Sequence, residues 1–207
     1  MIAIIDYGAG NIFSVKNALD YLGVENKLTA DKNEICAADE IILPGVGAFP
    51  WAMKMLRDSG LVDTIREEAR KKPFLGICLG MQLIFDKGYE FEETDGLRLI
   101  GGKVEKIDRK DMIIPHMGWN ELEINRDCPI LKGLPEHPYV YFFHSYAAVC
   151  DEANVSVYCD YGGKITALVH DGAYVTAHSS TPKRAEKWDC RCSETLLSLP
   201  DTNERKV

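Results

Sequence analysis

Cys78 is the residue in this chain best placed to act as a nucleophile. It sits in Phe74-Leu75-Gly76-Ile77-Cys78-Leu79-Gly80-Met81-Gln82, with a glycine two residues away on each side. A Gly-x-Cys-x-Gly string between an apolar run and a helical one has the form of a nucleophile elbow. There the reactive residue takes a strained backbone conformation and flanking glycines leave room for it. The helix starting just after Cys78 is expected to add positive potential at the sulfur and favour the thiolate. The competing reading is a buried core cysteine between two incidental glycines. An acyl-transfer nucleophile also needs donors for an oxyanion. Pro44-Gly45-Val46-Gly47 leaves a buried strand where parallel sheets gather ligands, and its glycines let backbone N–H groups turn toward one. A plain strand-to-helix turn is the alternative there.

Such a nucleophile further requires a base and a carboxylate to orient it. The chain has five histidines. His116 lies in Pro115-His116-Met117-Gly118-Trp119-Asn120 and His144 in Phe142-Phe143-His144-Ser145-Tyr146. His137 and His170 stand in turn-like settings that suit a solvated role. His178 is read as a solvated tail residue, with no carboxylate two residues away. The loop Gly8-Ala9-Gly10-Asn11 hints at a dinucleotide fingerprint but has Phe13 where a third glycine belongs.

The elements that must position these residues follow from hydrophobic periodicity. Ile2–Ile5 is an unbroken apolar run, the mark of a strand buried on both faces. Ile12, Val15, Ala18, Leu19 and Leu22 follow at helical spacing, with Gly23 as a stop. Glu40–Leu43 is a second buried strand. Helical patterns cover Ala48–Leu56 and Leu61–Arg70, and a third strand, Phe74–Ile77, leads to a helix over Leu79–Phe85. Strand and helix in alternation predict an α/β fold: a mostly parallel central sheet with helices on both faces. From about Leu99 the pattern changes to short strands, Lys103–Ile107, Glu121–Ile124, Tyr139–His144, Val155–Tyr161 and Lys164–Val169, an antiparallel appendage.

Composition narrows the function. The 207 residues carry a formal net charge of -8, which argues against a nucleic-acid binder. No apolar run is long enough for a membrane span. Seven scattered cysteines read as reduced thiols in a cytoplasmic protein. The average hides an uneven end. Residues 1–176 hold 18 basic and 27 acidic groups, a net of -9, whereas the last 31 residues hold 6 and 5, a net of +1. The only large aliphatics in that tail are Leu196, Leu197, Leu199 and Val207, and its only aromatic is Trp188. No face of a helix stays apolar there for more than a turn.

Taken together, the strings resemble the class I (triad) glutamine amidotransferases, and more narrowly the glutaminase subunits of imidazole glycerol phosphate synthases. The resemblance runs from Met1 to about Thr176. Gly76–Gln82 carries the class-wide element; Asp6–Asn11, Pro44–Phe49, Pro115–Asn120 and His144–Tyr146 carry the narrower one. It implies a flavodoxin-like fold and no cofactor or metal. Cys78 would attack the side-chain amide of glutamine. Backbone at Gly45, Val46, Gly47 and Leu79 would hold the oxyanion, and Gln82, Ser145 and Tyr146 would line the glutamine pocket. The ammonia released would pass to a (β/α)8-barrel cyclase subunit, the partner in a cytoplasmic heterodimer, for a step of histidine biosynthesis. His116, Met117, Gly118, Trp119 and Asn120 would face that partner. The Pro115–Asn120 and Asp6–Asn11 strings speak against another class I amidotransferase.

The family continues beyond its last strand with a Gln-Phe-His-Pro-Glu-Lys-Ser type of string that supplies the triad His and Glu, and then with an amphipathic helix. This chain reads Thr176-Ala177-His178-Ser179-Ser180-Thr181-Pro182-Lys183-Arg184 instead. Codons can be written for Ala177–Thr195 that, read two bases later, spell Thr-Gln-Phe-His-Pro-Glu-Lys-Ser-Gly-Lys-Val-Gly-Leu-Gln-Met-Leu-Arg-Asn. One base lost after the Thr176 codon therefore accounts for residues 177–207 as an aberrant, disordered tail. The triad His and Glu would fall at the slots held by Thr181 and Lys183, leaving Cys78 without a base. This polypeptide is then expected to be nearly inactive as a glutaminase, or to serve as a non-catalytic docking partner of the cyclase. Cys190-Arg191-Cys192 needs no metal or redox role, since translation out of frame explains it.

Overall fold

The computed structural model describes residues 1–173 and 175–179. Five parallel strands make the frame that carries Cys78: β1 (Ile2–Ile5), β2 (Asn26–Thr29), β3 (Glu40–Gly45), β4 (Phe74–Cys78) and β14 (Val175–His178). Helices α1 (Ile12–Tyr21), α2 (Lys32–Ala37), α3 (Phe49–Asp58), α4 (Val62–Glu68) and α5 (Leu79–Leu83) connect them. The order β2-β1-β3-β4-β14 continues through antiparallel β13 (Lys164–His170), β12 (Val155–Asp160) and β9 (Glu123–Ile124), so among the described residues one sheet has eight strands. Two strands, β8 (His116–Glu121) and β10 (Tyr139–His144), pair antiparallel in a small separate sheet. A third sheet joins β5 (Lys87–Gly88), β6 (Thr94–Asp95), β7 (Gly102–Lys106) and β11 (Tyr146–Cys150).

Strand alternation sends the apolar residues to two cores. Ile2, Ile4, Ile42 and Leu75 point to the face covered by Val15 and Leu19 of α1. Ile5, Ile41, Leu43 and Phe74 point to the other, against Ile35 of α2, Phe49, Met53 and Leu56 of α3, and Ile65 of α4. Both faces are buried, which is why β1 and β3 read as continuous apolar runs.

The sheet departs from the expected pattern in two places. The edge strand β2 and the short α2 carry no clear periodicity, since Thr29 and Ile35 are their only buried residues. α2 is held instead by its cap: the Asp31 carboxylate accepts from the N–H groups of Asn33 and Glu34 at 2.7 and 3.3 Å. The expected strand over Glu121–Ile124 divides into the end of β8 and the two-residue β9. The expected antiparallel appendage is present: β13, β12 and β9 extend the central sheet, and β8 pairs with β10 beside it.

The body does not stop at Thr176. β14 runs on to His178 between β4 and β13, and the Ser179 N–H donates to Ala167 O at 2.9 Å. His178 is only 3% exposed, so a solvated tail role is corrected: a central strand has sheet on both sides, and this side chain lies within the packed interior. His170 is likewise buried near the end of β13, with Nδ1 3.2 Å from Val175 O, rather than in a surface turn. His137 is exposed, beside Glu121. Thr181, Lys183 and the rest of the aberrant tail lie outside the described residues.

Candidate active site

Three C-terminal strand ends meet at one cleft, the position where open α/β sheets bind ligands. β4 ends in Cys78, β3 ends in Gly45, and Gly45 is the registered partner of Cys78. The loop after β1 supplies Gly10 and Asn11 to the same wall. The cleft encloses about 1110 Å3. It gathers Cys78, Leu79 and Gln82 from the elbow, Gly45, Val46 and Gly47 from the β3 loop, and His144, Ser145 and Tyr146 from the turn between β10 and β11.

The elbow is real and strained. Cys78 has φ 56° and ψ -114°, a left-handed conformation that a non-glycine residue adopts only when its surroundings enforce it. Both glycines are required by close approach. A Cβ on Gly80 would stand 1.9 Å from Leu43 O, and one on Gly76 would stand 2.9 Å from Gly80 O. Two incidental glycines around a core cysteine are thereby excluded.

The expected acidic thiol is not found. Burial pushes the Cys78 thiol above its ordinary range, and the Leu79 N–H pulls it back only in part. α5 has five residues, so few aligned peptide dipoles stand behind the sulfur.

Tyr7 was not singled out by sequence spacing, although it belongs to the first loop string. Its buried hydroxyl donates to Pro44 O at 3.0 Å and so anchors the strand end that leads into Gly45. Burial and the neighbouring Cys78 both raise the phenol further. Glu90 was missed for want of any local pattern. Its carboxylate accepts from the Phe49 N–H at 2.8 Å, taking the place of a side-chain cap at the start of α3, and it lines the cleft. Gln82 is oriented by donation from Nε2 to Tyr146 O at 3.2 Å, which ties the elbow helix to the opposite wall.

The stretch His116–Asn120 does not act as one surface. β8 alternates, so Met117 and Trp119 are 55% and 47% exposed while His116 is fully buried. The His116 ring is stacked between Phe142 and Tyr161, and Asn120 turns inward to bond it. The expectation that His116 faces a partner is corrected on this ground; Asn120 is half-buried, and Met117 and Trp119 point outward.

A fold of this topology, with a cysteine elbow at the end of a central strand and a glycine-rich strand end beside it, defines an amidotransferase-like enzyme. The model of the family "Glutamine amidotransferase class-I" matches residues 3–177, and the chain belongs to that family. Among curated proteins, the chain is 46% identical over 187 residues to "Imidazole glycerol phosphate synthase subunit HisH" of Bacillus cereus (strain G9842), covering 90% of this chain and 89% of that one. The protein of the same name from Listeria monocytogenes serotype 4a (strain HCC23) is 46% identical over 174 residues, 83% of each. Among solved structures, a glutamine amidotransferase superposes with TM-score 0.73 at 21% identity, covering 96% of this chain and 98% of that one. PurLQS from Thermotoga maritima gives 0.72 at 20% identity, covering 95% and 97%. These last two show the fold alone.

Proposed function

We propose that this chain is the glutaminase subunit of an imidazole glycerol phosphate synthase, hydrolysing glutamine to glutamate and delivering ammonia to a (β/α)8 cyclase subunit. The observation that carries this reading is the register of Gly45 beside the strained Cys78, within a cleft also walled by Gln82 and Tyr146. The relatives at 46% identity point to the particular synthase.

In this reading the Cys78 sulfur attacks the amide carbon of glutamine. The carbonyl oxygen gains charge and is met by backbone N–H groups of Gly45, Val46, Gly47 and Leu79. Ammonia leaves with a proton, and water then cleaves the thioester to release glutamate. Gln82, Ser145 and Tyr146 hold the substrate. Each half-reaction needs a group to take and return a proton. With the thiol held above its usual range, that need is acute.

The slots where the family places its His and Glu are Thr181 and Lys183 here. A lysine ammonium cannot serve as a base near neutral pH. On this reading the chain as it stands is nearly inactive as a glutaminase. Loss of one base after the Thr176 codon is the origin we assign to residues 177–207.

The partner surface is the exposed side of the β8–β10 sheet, where Met117 is registered with Phe143 and Trp119 packs edge-on to Tyr141. Met117, Trp119, Tyr139 and Phe143 are all about half exposed. No helix among the described residues is long and apolar enough to cross a membrane.

The test is glutamate release by the purified chain with its cyclase, beside a version restored by one base after the Thr176 codon. The restored chain turns over glutamine and the original falls several orders of magnitude short. Normal turnover by the original removes the inactivity reading. No turnover by either removes the glutaminase reading. A second outcome, ammonium-dependent cyclase activity in complex with the original chain, identifies it as a docking partner.

A further inference from the structure

Behind the cleft wall runs a chain of hydrogen bonds that the amide chemistry does not use. Asn120 Nδ2 donates to Asp160 O at 3.1 Å, and Asn120 Oδ1 lies 2.8 Å from His116 Nε2. His116 Nδ1 lies 3.0 Å from His144 Nε2, and His144 Nδ1 lies 3.1 Å from Tyr146 O. That same carbonyl accepts from Gln82. The relay thus spans from β8 to the elbow helix.

Both ends have fixed polarity. A backbone carbonyl only accepts, so His144 must carry hydrogen on Nδ1. Asn120 spends its amino group on Asp160 and presents oxygen to His116, which must then carry hydrogen on Nε2. The middle bond needs a further hydrogen between His116 Nδ1 and His144 Nε2. Three hydrogens on four ring nitrogens is one more than two neutral imidazoles own.

We infer that His116 and His144 take up one shared proton, that the complete relay exists only with it, and that His116 and Asn120 are positioning residues for Tyr146 and Gln82. The functional half of this rests on the glutaminase reading above; the proton count does not.

The surroundings set both the capacity and the pH range. Phe142 and Tyr161 stack on the His116 ring with centroids 4.8 and 3.8 Å away, faces that favour a cation. A second proton would place two cations in direct contact, so the pair stops at one. Of the charged and titratable groups on the surrounding elements, the Asp160 carboxylate of β12 accepts from the Gly163 N–H and the Tyr161 hydroxyl donates to Ile113 O. Glu121 at the far end of β8 is engaged by His137 and Tyr139. Lys106 of β7, Tyr141 of β10 and Cys78 of β4 line the cleft. Among the described residues no ion pair joins His116 or His144 to a carboxylate. Burial therefore dominates, holding His116 below its ordinary range and pushing His144 down to about 4. The proton is held in acid and lost as pH rises, so at neutral pH one link of the relay is open.

The test uses the full chain with 15N-labelled histidine and glutamine, titrated from pH 8 to pH 3 by NMR. One proton is taken up by the His116–His144 pair, and the Gln82 side-chain amide shifts with the same midpoint. Asn120→Asp puts a carboxylate beside His116 and moves that midpoint up by ~1 unit or more, as an adjacent opposite charge does. His116→Phe keeps the stacking and abolishes the pH response of Gln82. Independent protonation of both rings, no uptake at all, or an unmoved midpoint in Asn120→Asp overturns the proton count. A Gln82 resonance indifferent to the midpoint overturns the positioning role. Glutamine affinity, by calorimetry, rises on acidification by roughly three- to tenfold, the worth of one hydrogen bond. Absence of glutamine binding at every pH counts against the glutaminase reading and leaves the NMR result to judge the relay.

Discussion

Gly80 packs against the carbonyl of Leu43 so closely that a methyl group on it would stand 1.9 Å from the oxygen. The first turn of the elbow helix is therefore seated directly on the strand that ends at Gly45. This contact fixes where Cys78 stands relative to the β3 loop.

Gly80→Ala must push α5 away from β3 or distort Cys78. The contact is with backbone, which cannot rotate aside. The expected cost is about 3 kcal/mol or more of stability, the upper range for overpacking, read from chemical denaturation. Cys78 labelling by iodoacetamide changes as well, because the elbow no longer holds its geometry. A variant as stable as the parent would show that α5 and β3 can separate freely.

Much of this arrangement is legible in the residues themselves, for a physical reason. β1, β3 and β4 are buried on both faces, so their apolar runs are unbroken, and the elbow needs glycine at two backbone contacts that nothing else satisfies. The rest depends on partners distant in sequence. β14 is Val-Thr-Ala-His, four residues that are too short a string to read as a strand alone, and it is a strand because β4 and β13 flank it. His116 reads as a surface residue of a docking string until the alternation of β8 and the rings of Phe142 and Tyr161 are known. The thiol of Cys78 reads as activated by a helix that turns out to be five residues long.

The alkylation profile of Cys78 follows from that last point. Burial raises the thiol, so the reactive thiolate is scarce at neutral pH. The rate of modification at pH 7 is expected to lie below that of a free thiol and to rise about tenfold per pH unit to beyond pH 9. Peptide mapping after labelling, with Cys78→Ser as the control, checks the assignment. A plateau below pH 7 would mean that a base near Cys78 is at work.

Glu40 predicts a pH dependence of stability at the opposite end of β3. Its Oε2 is buried without a hydrogen-bond partner, and burial pushes the carboxyl up to about 7, only partly relieved by the N-terminal amine. The folded value lies above the unfolded one, so the protonated acid is compatible with the fold. Its contribution is intact below about pH 4.5 and is lost as pH rises through 7. Glu40→Gln removes the charge, so it is expected to stabilise the chain by about 2 kcal/mol at pH 8 and to have little effect at pH 4.5. Urea titrations at the two pH values measure the difference. Equal effects at both would assign the residue a solvated carboxylate.

Trp119 tests the docking face. It is about half exposed on β8 and packs edge-on against Tyr141, with its backbone paired in the two-stranded sheet. Trp119→Ala removes aromatic area from the surface while leaving both cores untouched. Stability is expected to change by less than about 1 kcal/mol, whereas affinity for the cyclase falls by at least about tenfold, as for an aromatic anchor. Calorimetry of the two purified subunits separates these effects. Undiminished affinity would move the partner surface elsewhere.

Tyr7→Phe isolates the anchor of the β3 strand end. The hydroxyl donates to Pro44 O in a buried setting, and Pro44 precedes Gly45, the partner of Cys78. Removing the hydroxyl leaves that carbonyl without its donor while the ring still fills its place. The expected loss of stability is about 1–2 kcal/mol, the penalty for a buried acceptor left unpaired. The chemistry is expected to suffer more. In the frame-restored protein, freedom at Pro44 lets the N–H groups of the following loop leave the position of the oxyanion, so kcat falls while KM for glutamine stays within about twofold. Steady-state glutaminase kinetics make the distinction. A rise in KM with kcat unchanged would place Tyr7 in substrate binding instead, and parallel losses in folding and activity would reduce it to a core residue.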